Sequence, residues 1–97
     1  MSEKSKPTAR GQYLEKFYKM TEEQYKALLG HQDNRCAICK RAFVNAAKRF
    51  RPCVDHCHAT GEVRGILCGS CNLGIGQFFD SPILLKKAAS YLKKSEE

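Results

Sequence analysis

The sequence predicts a small α+β domain, a β-hairpin running into a helix, stapled by a zinc ion and flanked by further helices. Three observations predict it. Two C-x-x-C pairs, Cys36–Cys39 and Cys68–Cys71, flank residues 40–67. Between them lie two short runs of strand character, separated by the turn sequence Ala59-Thr60-Gly61-Glu62. The chain is 97 residues long, and so short a chain buries a limited core and gains from a staple beyond hydrophobic burial.

The six cysteines set the choice between disulfides and metal. The N-terminal MSEKSKPTARGQY is charged and polar and lacks the apolar segment of a signal peptide. No apolar run approaches the length that spans a membrane. A cytoplasmic location is the expectation, and there thiols stay reduced and paired C-x-x-C motifs act as metal ligands. Four thiolates fill a tetrahedral shell and leave no position for water, so the expected zinc is structural. Its binding free energy would then be largely folding free energy, on the order of 10 kcal/mol at neutral pH. The interval between the knuckles exceeds that of common zinc ribbons, which marks an inserted functional unit. Cys53 and Cys57 fall outside the knuckle spacing and are expected as buried free thiols, and His31 as a surface residue.

Along the chain, residues 1–12 carry Lys4, Lys6 and Arg10 without apolar periodicity and predict a flexible basic arm; residues 13–97 make one zinc-containing domain. Leu14, Phe17, Tyr18 and Met20 suggest a short helical turn. A helix then starts behind Thr21 as N-cap, with Gln24 three residues on to complete a capping box. Tyr25, Leu28 and Leu29 give it one apolar face, and Gly30 is a natural stop. Asp33 and Asn34 are turn formers before the first knuckle. Residues 53–58 read as a strand and 63–67 as its return. A short helix is expected from Asn72, weakened by Gly74 and Gly76. The last helix opens with Ser81 at N-cap and Pro82 at N1, with Leu84, Leu85, Ala88, Ala89, Tyr91 and Leu92 on one side and Lys86, Lys87, Lys93 and Lys94 on the other.

The formal net charge is +7, from 17 Lys and Arg against 10 Asp and Glu, which favours a polyanionic partner, nucleic acid before an anionic membrane. Residues 40–51, KRAFVNAAKRFR, concentrate Lys40, Arg41, Lys48, Arg49 and Arg51 with no acidic residue. They read as a phosphate-contacting surface or as a solvated loop, the former preferred; Phe43 and Phe50 among them read as core.

Asp55-His56, followed by Asn72 directly after the second knuckle, resembles the HNH or His-Me finger nucleases, whose fold is the ββα-metal finger. The wording CAIC and VDHCHATGEVRGILCGSCNLGIG is similar to the phage recombination endonuclease VII family, over about residues 21 to 78. The resemblance implies a metal-dependent DNA endonuclease. In it His56 is the general base, Asp55 and Asn72 hold one Mg²⁺ or Mn²⁺, and His58 contacts phosphate or assists the metal. Arg64, in the Val-Arg-Gly stretch, joins the basic residues expected to contact DNA. Histidine suits proton transfer near neutral pH, and hard cations prefer oxygen ligands. Strand alternation would send Asp55 and His56 to opposite faces, so the strand must end or bulge there. Some family members carry an acidic residue three positions after the asparagine, where this chain has Ile75. The long dimerisation helices of the junction-resolving members have no counterpart here, so a nicking or weakly specific enzyme is expected, with at most a simpler homodimer. The alternative is a non-catalytic zinc-containing module that binds nucleic acid.

Overall fold

The helix α1 (Glu22–His31) begins as its sequence dictates. The Thr21 hydroxyl accepts from the Gln24 N–H at 3.0 Å, and the Gln24 side chain accepts from the Thr21 N–H at 2.9 Å. The reciprocal pair satisfies two donors that would otherwise be orphaned. Gly30 does not end the helix, which runs one residue further to a cap at Gln32. The computed structural model describes residues 20–96, so the expected arm over 1–12 and the turn over 14–18 lie outside the described residues. After α1 come β1 (Pro52–His56), β2 (Val63–Cys68), α2 (Gly69–Gln77) and α3 (Pro82–Glu96).

β1 and β2 form an antiparallel two-stranded sheet, with Pro52 opposite Cys68 and Asp55 opposite Gly65. Gly65 through Cys68 are all buried. Alternation turns neighbours to opposite faces, and the packing follows it. Ile66 joins Met20 and Tyr25, backed by Leu28, Leu29, Phe43, Val54 and Val63. Leu67 lies with Cys36 and Cys68, backed by Cys39, Phe43, Cys71 and Ile75. The strand is thus the shared wall of two small cores, and Phe43 touches both, in keeping with its expected core role. Burying one side chain as fully as Ile66 is worth about 2 to 3 kcal/mol.

A two-stranded sheet leaves open edges, and Gln32 closes one of them. Its amide donates to the Ile66 carbonyl at 2.8 Å and to the Arg35 carbonyl at 2.8 Å, and it accepts from the Ile66 N–H at 3.0 Å. The Ala37 N–H reaches the same Ile66 carbonyl at 3.2 Å, so the first knuckle is docked on β2 by its backbone.

The second knuckle corrects an expectation. The helix expected from Asn72 begins at Gly69, with Cys68 as its N-cap, so the C-x-x-C is the first helical turn. The Cys68 sulfur accepts from the Cys71 N–H at 3.4 Å, which is the cap that Ser or Asp usually provides. At α3 the Ser81 hydroxyl accepts from the Leu84 N–H at 3.1 Å, as expected of an N-cap. Its apolar side is largely uncovered, since Ile83, Leu84, Tyr91 and Leu92 are exposed.

Candidate active site and metal centre

The four knuckle cysteines come together. Their sulfurs lie within 4.8 Å of one another, and Cys39 and Cys68 are 3.9 Å apart. A tetrahedral zinc with Zn–S near 2.3 Å needs sulfurs about 3.8 Å apart. The donor set and its size therefore fit zinc. The first knuckle is a tight hairpin, with an Arg35–Ala42 bridge and the Cys36 N–H on the Arg41 carbonyl at 2.9 Å. Lys40 supplies the left-handed turn at φ 66°. Burial would raise the Cys36 thiol, but N–H groups of Cys68, Cys39 and Ile38 aimed at its sulfur outweigh it and lower the pKa to about 6. Burial, and then hydrogen bonding to the sulfurs of Cys68, Cys36 and Cys39, pushes Cys71 up to about 12. Cysteines bind a divalent cation as thiolates, so metal binding at such a cluster releases protons. Cys53 and Cys57 stand apart and are half-buried rather than buried.

At the other end of the hairpin the expected irregularity is present. The register shifts between Asp55 and His56, because Gly65 faces Asp55 while Val63 faces His56. Arg64 is the extra residue and has no cross-strand partner of its own. A bulge of this kind bends the strand that carries the extra residue, here β2, and β1 itself ends at His56. The rings of His56 and His58 lie 5.1 Å apart.

Arg64 does not point into solvent. Its Nε donates to Asp55 Oδ2 at 2.7 Å and its Nη2 to Asp55 Oδ1 at 3.0 Å, a two-pronged pair. The same Nη2 donates to Asp80 Oδ2 at 3.1 Å. The hydrogen bonds to Asp55, and then to Asp80, hold the Arg64 pKa above its ordinary value. His58 Nε2 lies 3.9 Å from Asp80 Oδ2. The Asp55 carboxylate is well covered, with its side chain 12% exposed.

No site role was expected of Asp80. It lies far along the chain from Asp55, and only the turn after α2 brings it back. Phe79 and Asp80 both take left-handed backbone, at φ 58° and 55°, and the Asp80 N–H donates to the Ile75 carbonyl at 2.8 Å. Asp is among the few non-glycine residues that tolerate this conformation.

Asn72 is in the first turns of α2 and lines a groove of about 570 Å³ with Lys48, Arg49, Arg51, Cys53 and Gln77. Cys53 and Asp55 share one face of β1 by alternation, so the groove and the Asp55 carboxylate lie along the same strand. The basic turn is held to α2 by the Ser70 N–H on the Arg49 carbonyl at 2.9 Å. A Cβ on Gly69 would overlap the Lys48 carbonyl oxygen, so only glycine allows the approach. Lys48, Arg49 and Arg51 are therefore gathered at one groove. Arg41 instead lies over the Phe50 ring at 5.7 Å, and Lys40 is in the first knuckle. Ile75 packs against the cysteine cluster, so that helix position serves the core.

A hairpin whose second strand passes directly into a helix, with Asp-His at the end of the first, is the architecture of the ββα-Me nucleases. The chain is similar to the ββα-Me type II restriction endonuclease Hpy99I, with a TM-score of 0.57 and 27% identity, over 94% of this chain and 56% of that one. The sequence pattern of the recombination endonuclease VII family matches residues 11–94, and the chain belongs to that family. The Gene 59 protein of Mycobacterium phage D29 is 46% identical over 78 residues, 79% of this chain and 46% of its own length. The Gene 59 protein of Mycobacterium phage L5 is 41% identical over 76 residues, 77% of this chain and 44% of its own length. The chain thus spans less than half the length of these phage relatives.

Proposed function

We propose that the chain is a metal-dependent DNA endonuclease that hydrolyses phosphodiester bonds at the Asp55–His56 end of the hairpin. The observation that carries this reading is the Asp55-His56 pair at the end of β1, on a hairpin whose second strand runs straight into α2. His56 is the general base that takes a proton from the attacking water. Asp55 and Asn72 offer the oxygen atoms that would hold one Mg²⁺ or Mn²⁺. Asp55 suits a cation, because its carboxylate already receives a charged guanidinium. When bound, the ion supplies charge stabilisation at the scissile phosphate and the leaving oxygen. His58, exposed beside His56, contacts phosphate. Lys48, Arg49 and Arg51 receive the DNA backbone along the groove that Asn72 lines, with Lys40 and Arg41 adding positive charge. Zinc at the four cysteines holds the hairpin and α2 in place.

The test is cleavage of supercoiled plasmid by zinc-loaded protein with Mg²⁺ or Mn²⁺. Wild type is expected to nick it, and His56→Ala to be slower by about 100-fold or more, the usual worth of a positioned base. The variant should keep the wild-type melting temperature. Intact plasmid, branched DNA and single strands with every divalent ion would refute the proposal.

One observation favours the other reading, a non-catalytic module that binds nucleic acid. Ile75 stands in the core where some family members carry an acidic residue. That reading requires salt-sensitive DNA binding that Asp55→Ala leaves unchanged.

A further inference from the structure

The pair between Arg64 and Asp55 poses a question that the nuclease reading leaves open. Both oxygens of Asp55 are taken by one guanidinium, at 2.7 and 3.0 Å, on the carboxylate that reading assigns to a divalent ion. A second carboxylate, Asp80, accepts from the same Nη2 at 3.1 Å. The left-handed turn at Phe79 and Asp80 aims that carboxylate, and an ordinary helix end would not. Arg64 is the extra residue of the bulge and has no cross-strand partner. Its side chain is 40% exposed, against 12% for Asp55 and 23% for Asp80. The arginine is therefore the most exposed member of the triad, and the two carboxylates are the more covered ones.

We propose that Arg64 is the resident counter-ion of Asp55, occupying the carboxylate until a divalent ion displaces it, and that Asp80 is the positioning residue that keeps the displaced guanidinium beside the site. The proposal rests on the reading of Asp55 as a ligand of that ion. The physical logic is competition. An acidic group this well covered is costly to leave uncompensated, so the metal-free protein supplies its own cation. An entering ion must then exchange with a two-pronged hydrogen-bonded pair. Asp80 lowers the cost of that exchange, because the guanidinium it retains never becomes free. The retained Arg64 is left beside the bound ion, where a second positive group faces an incoming phosphate. Asp80 acts through Arg64, and neither residue needs to touch the ion.

The experiment measures Mn²⁺ binding to the full zinc-loaded chain without DNA, by the electron paramagnetic resonance signal of free Mn²⁺, so that no turnover enters the readout. Arg64→Gln is expected to bind Mn²⁺ more tightly by about fivefold, the upper range for a partly exposed ion pair. Arg64→Lys keeps the charge but lacks the fork, and is expected to move in the same direction. Asp80→Asn is expected to weaken Mn²⁺ binding in the wild-type background and to have no effect in the Arg64→Gln background. If Arg64→Lys binds like wild type, the effect is charge alone and the exchange is wrong. If Asp80→Asn weakens binding equally in both backgrounds, Asp80 acts on the ion directly and its assigned role is overturned. Asp55→Asn separates the two levels. Unchanged Mn²⁺ affinity in that variant removes the underlying reading of Asp55. Lost affinity there, together with an unresponsive Arg64→Gln, removes the counter-ion proposal alone.

Discussion

The two ends of β2 hold two clusters of opposite character. At Cys68 four sulfurs face one another, with Cys36 and Cys68 essentially sealed from solvent. At Arg64, about 13 Å back along the strand at the usual rise, two carboxylates face a half-exposed guanidinium. The first cluster closes on itself and offers no open coordination position. The second is one guanidinium shared by two carboxylates, the arrangement for which we propose exchange with a divalent ion. The difference teaches how a small chain can set an exchangeable ion pair beside a rigid element. Four cysteines that fit zinc gather at Cys68, a few residues away on the same strand, and a metal held there would fix the backbone next to the ion-paired end.

The largest effect expected from this comparison is loss of the fold at the sulfur end. Removing zinc with a chelator, or replacing Cys68 by Ser, should cost on the order of 10 kcal/mol and unfold the hairpin, as seen by circular dichroism. Asp55→Asn, at the other end, should cost less than about 1 kcal/mol, since it weakens a partly exposed pair. Equal losses at the two ends would dissolve the distinction between a structural and a functional cluster.

A smaller effect is expected where the two regions meet. Gly69 opens α2 between the cysteine cluster and the basic turn, with the Lys48 carbonyl pressed against it. Gly69→Ala should displace that turn at a cost of about 2 to 3 kcal/mol, as overpacking does. Zinc content should stay at the wild-type level while DNA affinity falls, because Lys48, Arg49 and Arg51 move together with the turn. Unaltered stability would show that the Lys48 carbonyl can withdraw from Gly69 at no cost.

Much of this arrangement was legible in the residues because it is local. The capping box at Thr21 and Gln24, the Ser81-Pro82 start of α3 and the knuckle spacing each depend on residues a few positions apart. The irregularity opposite Asp55 and His56 was expected for a different reason: two side chains assigned to one site would not sit on opposite faces of a flat strand, so the strand had to end or bulge there. Three things were not legible. Gln32 clamps Ile66 across the fold, and a glutamine in a turn carries no sign of its distant partner. Asp80 reaches the site through two left-handed residues that are not glycine, so no turn signal marked them. Arg64 looked like one more positive charge for DNA, because composition counts charges and cannot tell which are already paired.

The smallest expected effect concerns the thiols outside the zinc cluster, and it sharpens the same contrast. Cys57 lies between His56 and His58, and its pKa is lowered by hydrogen bonding to the Thr60 side chain first, then by the Thr60 and Ala59 backbone, with Arg64 adding a favourable charge. A lowered pKa places the thiolate at lower pH than in an ordinary cysteine, and the thiolate is the reactive form. Iodoacetamide should therefore label zinc-loaded protein first at Cys57, with a rate-against-pH midpoint below that of a free thiol. Thr60→Val removes the largest stabilising hydrogen bond, so it should move that midpoint upward while leaving the four zinc thiols protected. A midpoint that stays put would mean the Thr60 contact does not form in solution. Labelling of Cys36 or Cys68 ahead of Cys57 would mean that the sulfur cluster is the more open of the two, and the comparison would have to be reversed.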